Sequence, residues 1–280
     1  MIKKLYRKIR KSWHGELLNE LKRSISANYA EVELAERLKD PIRLERYGYK
    51  VYSQNDEDGI IAEIFKRIET VDKKFIEFGV QNGLESNGHF LLHKGWQGLW
   101  LEGSPDYCKQ IHNNFKEPIT ERQLNVVNAF IDKDNINDLI VGGGMNGNID
   151  LLSVDIDGND YHIWKAINCV NPRVVCIEYN AKFPPDFEWV MKYDKSHIWD
   201  GSDNANASLK SLEILGNELG YQLVGTNLNG VNAFFVKKEL AKNLFAQPAT
   251  AENLYNPPRA TGGLVYISGS PSLYYVGNRS

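Results

Sequence analysis

Carboxylates and glycines fall at the ends of apolar, strand-like segments of this chain. Glu77 lies near the end of the run 74–78, Gly79 and Gly83 punctuate the turn that follows, and Glu102 ends the next apolar run. Glycine lets the backbone come close to a ligand, and carboxylates accept hydrogen bonds from ammonium and hydroxyl groups. Two carboxylates on successive strands therefore suit a nucleoside that carries an amino-acid group and no phosphate.

Gln81 distinguishes this turn from the loops that bind dinucleotides. A dinucleotide-binding loop has glycine at that position, which lets the backbone approach the pyrophosphate. Residues 79–83 read GVQNG instead. We therefore expect a small methyl donor rather than a nicotinamide cofactor.

The densest polar cluster is Asp155-Ile156-Asp157-Gly158-Asn159-Asp160. An aspartate at the end of a parallel strand can attack phosphorus, so one interpretation is a phosphotransferase with a DxD nucleophile. The cluster follows the fourth predicted strand rather than the first, and this interpretation leaves the glycine turn unexplained.

Glu178 and Asn180 follow the next predicted strand. Hard divalent cations prefer carboxylate and amide oxygens, so these two residues and the aspartates of the cluster could form a magnesium or manganese site. The plainer alternative is that the aspartates cap a helix and order the loop while Glu178 pairs with Lys182 or Arg173. The residues alone leave both interpretations open.

Strand-like runs alternate with helix-like segments beyond about residue 50. The predicted strands are 74–78, 98–102, 124–129, 149–155 and 173–179, and the predicted helices are 59–68, 86–93, 105–114, 161–167 and 207–219. Two further strands, 221–226 and 232–237, flank the turn signal Asn229-Gly230. The pattern predicts an α/β fold, a Rossmann-like, doubly wound, mostly parallel seven-stranded sheet with a closing antiparallel hairpin.

The ligand of an open parallel sheet binds beyond the carboxyl ends of the strands, near the point where strand order reverses. Polar or glycine-rich sequence follows five successive predicted strands. These strand ends are 77–83, 102–104, 128–129, 155–160 and 178–180. We therefore predict that they form one site.

The sequence resembles the class I S-adenosylmethionine-dependent methyltransferases, and among them the FkbM-like group of bacterial glycan and natural-product gene clusters. The resemblance covers about residues 50 to 237 and rests on segments 52–59, 75–83, 95–103 and 152–160. It implies that the glycine turn lines the methionine side, that Glu102 holds the ribose, and that Asn128-Ala129 flank the adenine. The cofactor-binding residues predicted in this way are Gln54, Glu77, Gly79, Gln81, Gly83, Asn87, Glu102, Gly103, Ser104, Asn128, Ala129 and Asp155.

The same resemblance places Asp155 beside the sulfonium and turns Asp157, Asp160 or His162 toward the methyl acceptor. The catalytic candidates are Asp155, Asp157 and His162. Metal-dependent sugar and catechol methyltransferases are similar in carrying an acid after the fourth strand and an acid–amide pair after the fifth. This likeness makes Asp155, Asp157, Glu178 and Asn180 candidate ligands of Mg or Mn. Without a metal, His162 is the natural general base, because the ordinary pKa of histidine lies near neutral pH.

Length and composition are those of a chain with a full core. The 280 residues are 42% hydrophobic, and the three cysteines, Cys108, Cys169 and Cys176, have no CxxC spacing that would indicate a zinc site or a disulfide framework. We predict three parts: a basic amphipathic and helical extension at 1–50, a methyltransferase domain at 51–240, and an irregular aromatic tail at 241–280. Within the domain, residues 183–206 form an insertion expected to cover the acceptor.

Residues 1–25 carry eight Lys or Arg against two Glu, although the whole chain has a formal net charge of −3. Apolar residues at 2, 5, 6, 9 and 13 form the stripe of an amphipathic helix. Such a helix can lie on an anionic membrane surface or pack on a protein partner or on its own domain. Without a signal sequence or a spanning segment, we expect a cytoplasmic protein, with peripheral contact at the inner face of the membrane as an alternative.

The expected function is transfer of a methyl group from S-adenosylmethionine to an oxygen of a cell-surface carbohydrate of capsule or lipopolysaccharide type. A small phosphorylated or nucleotide-linked precursor is the other form of this acceptor. Nucleic acid is not expected as a partner, because basic charge here comes without an aromatic-rich sheet, whereas a homo-oligomer stays open. The alternatives are a DxD-type phosphotransferase or phosphatase and a catalytically silent, nucleoside-binding partner subunit.

Overall fold

A computed structural model of the chain describes residues 32, 34–260 and 264–265. The chain divides into two units, residues 1–41 and 42–280. In the first unit, residues 34–37 are helical, and Lys39 pairs with Glu36. The amphipathic stripe predicted at 2–13 and the tail aromatics Tyr266, Tyr274 and Tyr275 lie outside the described residues.

The second unit begins with a 3-10 turn at Leu44–Tyr47 and continues with alternating helices and strands. Its helices are α1 (Glu57–Ile68), α2 (Asn87–His93), α3 (Pro105–Asn114), α4 (Lys116–Thr120), α5 (Ile136–Gly142), α6 (Asp160–Ala166), α7 (Leu209–Glu218), α8 (Lys238–Ala241) and α9 (Ala251–Leu254). The strands are β1 (Lys74–Phe78), β2 (Gln97–Glu102), β3 (Leu124–Asn128), β4 (Gly147–Val154), β5 (Val170–Glu178), β6 (Tyr221–Thr226), β7 (Asn232–Lys237), β8 (Arg259–Ala260) and β9 (Leu264–Val265). Among the helices of the described part, none has the length or the unbroken apolar sequence needed to cross a bilayer.

The main sheet has seven strands in the order β3-β2-β1-β4-β5-β7-β6. Strands β1 to β5 are mutually parallel, β7 runs antiparallel between β5 and β6, and β8 pairs separately with β9. The predicted α/β sheet with a closing antiparallel hairpin is confirmed. Strand order reverses between β1 and β4, so the point at which ligands bind such sheets lies between the ends of these two strands.

Side chains alternate across the sheet and build one apolar layer on each face. Ile76 and Phe78 of β1 belong to the cluster on one face, whereas Phe75 belongs to the cluster on the other. Cys176 is fully buried in the second cluster, as its apolar surroundings in sequence predict. Two buried layers leave only the strand ends and their loops for chemistry.

Strand β5 contains Pro172, which lacks the N–H that a central strand uses on one side. Pro172 pairs with Ile149 of β4, and pairing with β7 begins only at Val174. The proline therefore lies where β5 is still an edge strand, and the predicted start at residue 173 is too late.

Candidate functional site

The turn after β1 requires its glycines. Gly79 and Gly83 have φ angles of +68° and +78°, which side chains with a Cβ adopt only at a cost. A Cβ at Gly79 would overlap the carbonyl oxygen of Asp155. Gln81 has a φ of +49° and so adopts the left-handed conformation that glycine favours. The turn therefore packs directly on the loop after β4.

Glu77 is buried in β1 and fixes the start of α2. Its carboxylate accepts hydrogen bonds from the N–H groups of Asn87 (2.7 Å) and Gly88 (2.8 Å) and from Trp100 Nε1 (3.1 Å). Burial raises the pKa of Glu77 to about 7, against the opposing effect of these donors. Most of its hydrogen-bonding capacity is used inside the protein.

Glu102 ends β2 and is held by backbone groups of two loops. Its carboxylate accepts hydrogen bonds from the N–H of Gln81 (2.8 Å) and from the N–H of Ser104 (2.8 Å). The residue is only 6% exposed. Burial raises the pKa of Glu102, which the backbone donors partly offset. The Asn128 amide donates to the carbonyl oxygen of Glu102 (2.8 Å) and so ties β3 to the same corner.

Two adjoining cavities open at these strand ends. The main cavity, of about 510 Å³, includes among its lining residues Gly79, Gln81, Glu102, Gly103, Ser104, Ala129, Asp155 and Asp157. The second cavity, of about 290 Å³, includes Gln54, Glu77, Asn87 and again Gly79, Gln81 and Asp155. Ten of the twelve predicted cofactor-binding residues therefore line one space or the other. Of the remaining two, Gly83 faces Trp100 and Phe115, and Asn128 supports Glu102 from behind.

Glu57 also lines the second cavity and was missed in the sequence. It is fully buried, and its carboxylate accepts from the side-chain amides of Asn227 (2.8 Å) and Asn232 (3.0 Å) on the β6–β7 hairpin. Its sequence signal, an acid in the first turn of a helix, indicates helix stabilisation and not a cavity.

Three carboxylates meet beyond β4 and β5. Asp155, Asp157 and Glu178 each offer an oxygen, and these oxygens lie within 4.8 Å of one another. Partial burial and the neighbouring negative charges raise the pKa of Asp155 and of Glu178 well above their ordinary values. Burial also raises the pKa of Asp157. The protein thus concentrates negative charge at one point, where protons or a cation would relieve the repulsion.

Asp160 orders the loop that carries this cluster. Its carboxylate accepts from the N–H of Ile156 (3.0 Å) and the N–H of Gly158 (2.9 Å), and burial raises its pKa to about 6. Asp157 has a φ of +56° and does not cap α6, whose N-cap residue is Asn159. The alternative in which Asp157 caps that helix is therefore wrong.

Glu178 pairs with neither Arg173 nor Lys182. Arg173 forms an ion pair with Asp150 at 2.8 Å, and Lys182 pairs with Asp203. Glu178 Oε2 instead accepts a 2.5 Å hydrogen bond from Asn206 Nδ2. The alternative in which Glu178 forms an ion pair is therefore wrong, because Arg173 lies toward the opposite end of β5 and Lys182 is paired with Asp203.

Asn180, the predicted amide ligand, is engaged elsewhere. Its Nδ2 donates to the carbonyl oxygens of Asp203 (2.9 Å) and Ala205 (3.1 Å), and its Oδ1 accepts from the N–H of Lys182 (3.2 Å). Asn206 is the amide that contacts the carboxylate cluster. It occurs 28 residues after Glu178 at the end of the insertion, where no local motif marks it.

His162, the candidate histidine, and His197, from the insertion, occupy different positions. His162 Nε2 donates to the carbonyl oxygen of Met191 (2.7 Å), and among the described residues the lining of the main cavity does not include it. His197, from the insertion, does line the main cavity, and its Nε2 lies 3.2 Å from the carbonyl oxygen of Asp157. The insertion predicted to cover the acceptor thus supplies the histidine at the cavity.

The strand order identifies the fold, because β7 is inserted antiparallel between β5 and β6. The fold is that of the class I methyltransferases. No protein-family model and no curated protein sequence matches the chain. The known neighbours are solved structures that are distant in sequence.

A putative O-methyltransferase from Klebsiella pneumoniae is similar over 71% of this chain and 90% of its own, with 14% identity and a TM-score of 0.43. The Podospora anserina methyltransferase PaMTH1, bound to S-adenosylhomocysteine, is similar over 66% of this chain and 80% of its own, with 14% identity and a TM-score of 0.44. The glycopeptide N-methyltransferase MtfA, complexed with sinefungin, is similar over 66% of this chain and 90% of its own, with 12% identity and a TM-score of 0.40.

Proposed function

We propose that this chain is an S-adenosylmethionine-dependent O-methyltransferase whose acceptor is a cell-surface carbohydrate or a small precursor of one. The observation that carries the proposal is the main cavity at the reversal of strand order, where backbone N–H groups of two loops hold the Glu102 carboxylate. A buried carboxylate fixed by backbone donors is a preorganised acceptor for a pair of hydroxyl groups.

The chain offers a separate environment to each part of the donor. Glu102 would accept from the ribose hydroxyls, and Ala129 and Phe130 form an apolar wall for the adenine. The turn at Gly79 lines both cavities, so the methionine part would pass over it into the second cavity. There the buried carboxylates of Glu57 and Glu77 would face the ammonium group, whose positive charge would favour their ionised forms.

The carboxylate cluster fits a hard divalent cation. Its three ligand atoms are oxygens close enough to share one ion, and oxygen is what Mg²⁺ and Mn²⁺ prefer. Asp155, Asp157 and Glu178 would hold the ion. A cation there would lower the pKa of an acceptor hydroxyl and orient it.

Asp155 and Asp157 border the main cavity and so lie where the donor's methyl group would be presented. The reaction is an in-line displacement: a C–O bond to the acceptor forms as the C–S bond of the sulfonium breaks, and the acceptor's proton passes to a carboxylate. In the absence of the ion, Asp157, which is exposed and lines the cavity, would take that proton. The protein contributes mainly positioning and deprotonation.

The carbohydrate acceptor and the FkbM-like subgroup are supported by the sequence segments 52–59, 95–103 and 152–160, which resemble that group. The likeness is one of motif and therefore concerns the acceptor only by analogy. A further cavity of about 200 Å³, lined among others by Asp157 and Glu178, has a volume compatible with one sugar ring.

Release of S-adenosylhomocysteine from S-adenosylmethionine measures turnover whatever the acceptor. With Mn²⁺ and a panel of methyl glycosides, we expect acceptor-dependent release by the wild type and its loss in Asp157→Asn. Asp138→Asn, an exposed change on α5, is the matched control and should keep activity. Donor binding without turnover for any acceptor or metal would instead favour a catalytically silent, nucleoside-binding subunit.

A further inference from the structure

A third cavity lies on the far side of the carboxylate cluster. This Asn206 cavity, of about 200 Å³, is lined among others by Asp157, Glu178, Lys182, Trp199 and Asn206. It shares Asp157 and Trp199 with the main cavity. A group bound in it would therefore meet whatever occupies the main cavity at Asp157.

The Asn206 amide has a fixed orientation and one unused atom. Its Nδ2 donates to Glu178 Oε2 at 2.5 Å. Since the nitrogen faces the carboxylate, Oδ1 must point away from it. Asn206 is only 4% exposed, and its Oδ1 has no hydrogen-bond partner among the residues that the structure describes. A buried acceptor left without a donor is destabilising, so a ligand that supplies a donor is favoured there once a small side-chain movement opens Oδ1 to the cavity.

The backbone holds Asn206 in place from two sides. Its N–H donates to the carbonyl oxygen of Gly158 (3.0 Å), and its carbonyl oxygen accepts from the N–H of Met191 (2.9 Å). Its φ of +64° lies in the left-handed region. Strained residues of this kind persist where the surroundings over-determine them, often at functional sites.

The remaining lining defines the chemistry of the ligand. Trp199 offers an indole that is 54% exposed, a surface on which the C–H face of a sugar ring can stack. Lys182 is already paired with Asp203, and Asp157 and Glu178 would repel an anion. The cavity therefore combines an aromatic face with acceptor oxygens and disfavours negative charge.

We propose that the Asn206 cavity binds one neutral pyranose ring of the methyl acceptor, with a ring hydroxyl donating to Asn206 Oδ1 and the ring face against Trp199. This inference rests on the proposed function and adds to it the specificity residue and the neutral class of sugar. A phosphate or nucleotide attached to the acceptor would lie outside this cavity.

The test is binding of small neutral glycosides to the full chain loaded with S-adenosylhomocysteine and the diamagnetic ion Mg²⁺. Saturation-transfer NMR with methyl α-D-mannopyranoside, methyl β-D-glucopyranoside and methyl α-L-rhamnopyranoside should detect binding of at least one. Without the ion, glucuronic acid should bind more weakly than these glycosides, because Asp157 and Glu178 line the cavity. Asn206→Gly removes the amide but suits the positive φ. The variant should lower the affinity for the glycoside by about tenfold or more and leave the affinity for S-adenosylhomocysteine unchanged. Asn168→Gly, an exposed loop change, is the matched control.

Trp199→Ala provides a second variant, because an exposed side chain can be removed without unfolding the protein. It should also weaken glycoside binding. Because Trp199 borders the main cavity as well, the independence of donor binding is judged from Asn206→Gly. Binding of S-adenosylhomocysteine without any pyranoside would overturn the inference and leave the proposed function standing. Unchanged glycoside affinity in Asn206→Gly would overturn the inference too. So would a variant that loses only its affinity for Mn²⁺, because that result would assign Asn206 Oδ1 to the cation. Absence of S-adenosylhomocysteine binding in the wild type would remove both proposals.

Discussion

The two sides of the carboxylate cluster are built differently. On the side of the main cavity, Glu102 is fixed by the N–H groups of Gln81 and Ser104, one of them only two residues away in sequence. On the side of the Asn206 cavity, Glu178 is fixed by a side-chain amide 28 residues away. Backbone donors are present whatever the side chains are, so the first arrangement depends on loop shape and the second on the identity of one residue. Substitutions should therefore affect the two sides in different ways.

Gly79→Ala should have the largest effect, because the shape of the main cavity depends on this turn. The left-handed conformation would cost about 1–2 kcal/mol, and the overlap with the Asp155 carbonyl would add about 1–3 kcal/mol. We expect a fall of roughly 2–5 kcal/mol in the free energy of unfolding, measured by urea denaturation. Gly142→Ala is the matched control: a Cβ there meets nothing within 4 Å. Equal stability of the two variants would show that the turn does not pack as described.

Glu178→Gln should separate the two sides functionally. The variant loses a carboxylate of the cluster but nothing that lines the main cavity. We expect turnover to fall by about 100-fold or more, with Mn²⁺ affinity reduced and S-adenosylhomocysteine affinity within about twofold of the wild type. Calorimetry and S-adenosylhomocysteine release measure these quantities. An equal loss of donor affinity would mean that the two sides are not independent.

The pH dependence of stability should report the same cluster. Folding raises the pKa of Asp155 and Glu178 and brings that of Asp160 to about 6. The folded state thus binds these protons more tightly than the unfolded state. The stability they contribute is present below the ordinary carboxyl pKa values and is lost as pH rises through the raised ones.

Thermal unfolding with a chelator between about pH 5 and about pH 8 measures this loss. Glu178→Gln should lose about 1 kcal/mol less stability across that range than the wild type. Mn²⁺ should raise the wild-type Tm more at the upper pH than at the lower, since the ligands must be deprotonated. The same pH slope in both proteins would show that the cluster does not hold extra protons.

Phe130→Ala should have the smallest effect of these changes. Phe130 is half exposed and lines the part of the main cavity proposed to hold the adenine. Removal of its ring should weaken the binding of S-adenosylhomocysteine by about 1 kcal/mol, close to a factor of five in affinity, with little change in Tm. Phe187→Ala, a change of a partly exposed phenylalanine that does not line that cavity, should leave the affinity for S-adenosylhomocysteine unchanged. Titration calorimetry of the two variants makes the comparison, and equal affinities would remove Phe130 from the site.

The strands and the strand-end residues were predictable because their signals are local. Apolar runs of five to nine residues that end in polar or glycine-rich sequence mark β1 to β5, and the hairpin strands β6 and β7 were predicted at their observed bounds. Four helices were missed: α4, α5, α8 and α9. Helix α4 has only five residues and contains Pro118, α5 is seven residues long and runs into a glycine series, and α8 and α9 have four residues each. None is long enough to show a helical period.

The partners of the site residues could not be read from the sequence. Glu77 and Glu102 were predicted as ligand-facing acids, yet Glu77 proves to hold α2 through two backbone N–H groups. Asn180 was predicted as the amide ligand because it lies two residues after Glu178 in sequence. The fold turns it to Asp203 and Ala205 and brings Asn206 back from the end of the insertion. Such choices depend on tertiary contacts between residues far apart in the chain.

Calorimetric titration with S-adenosylhomocysteine on wild type and Glu102→Ala, each with and without Mn²⁺, tests the central claim most directly. The account predicts binding by the wild type and a loss of about 100-fold or more in the variant, because the ribose loses its acceptor and two backbone N–H groups lose theirs. Glu121→Ala, an exposed change at the end of α4, should bind like the wild type. If the wild type fails to bind both with and without Mn²⁺, that result would contradict the methyltransferase proposal and favour the DxD phosphotransferase instead.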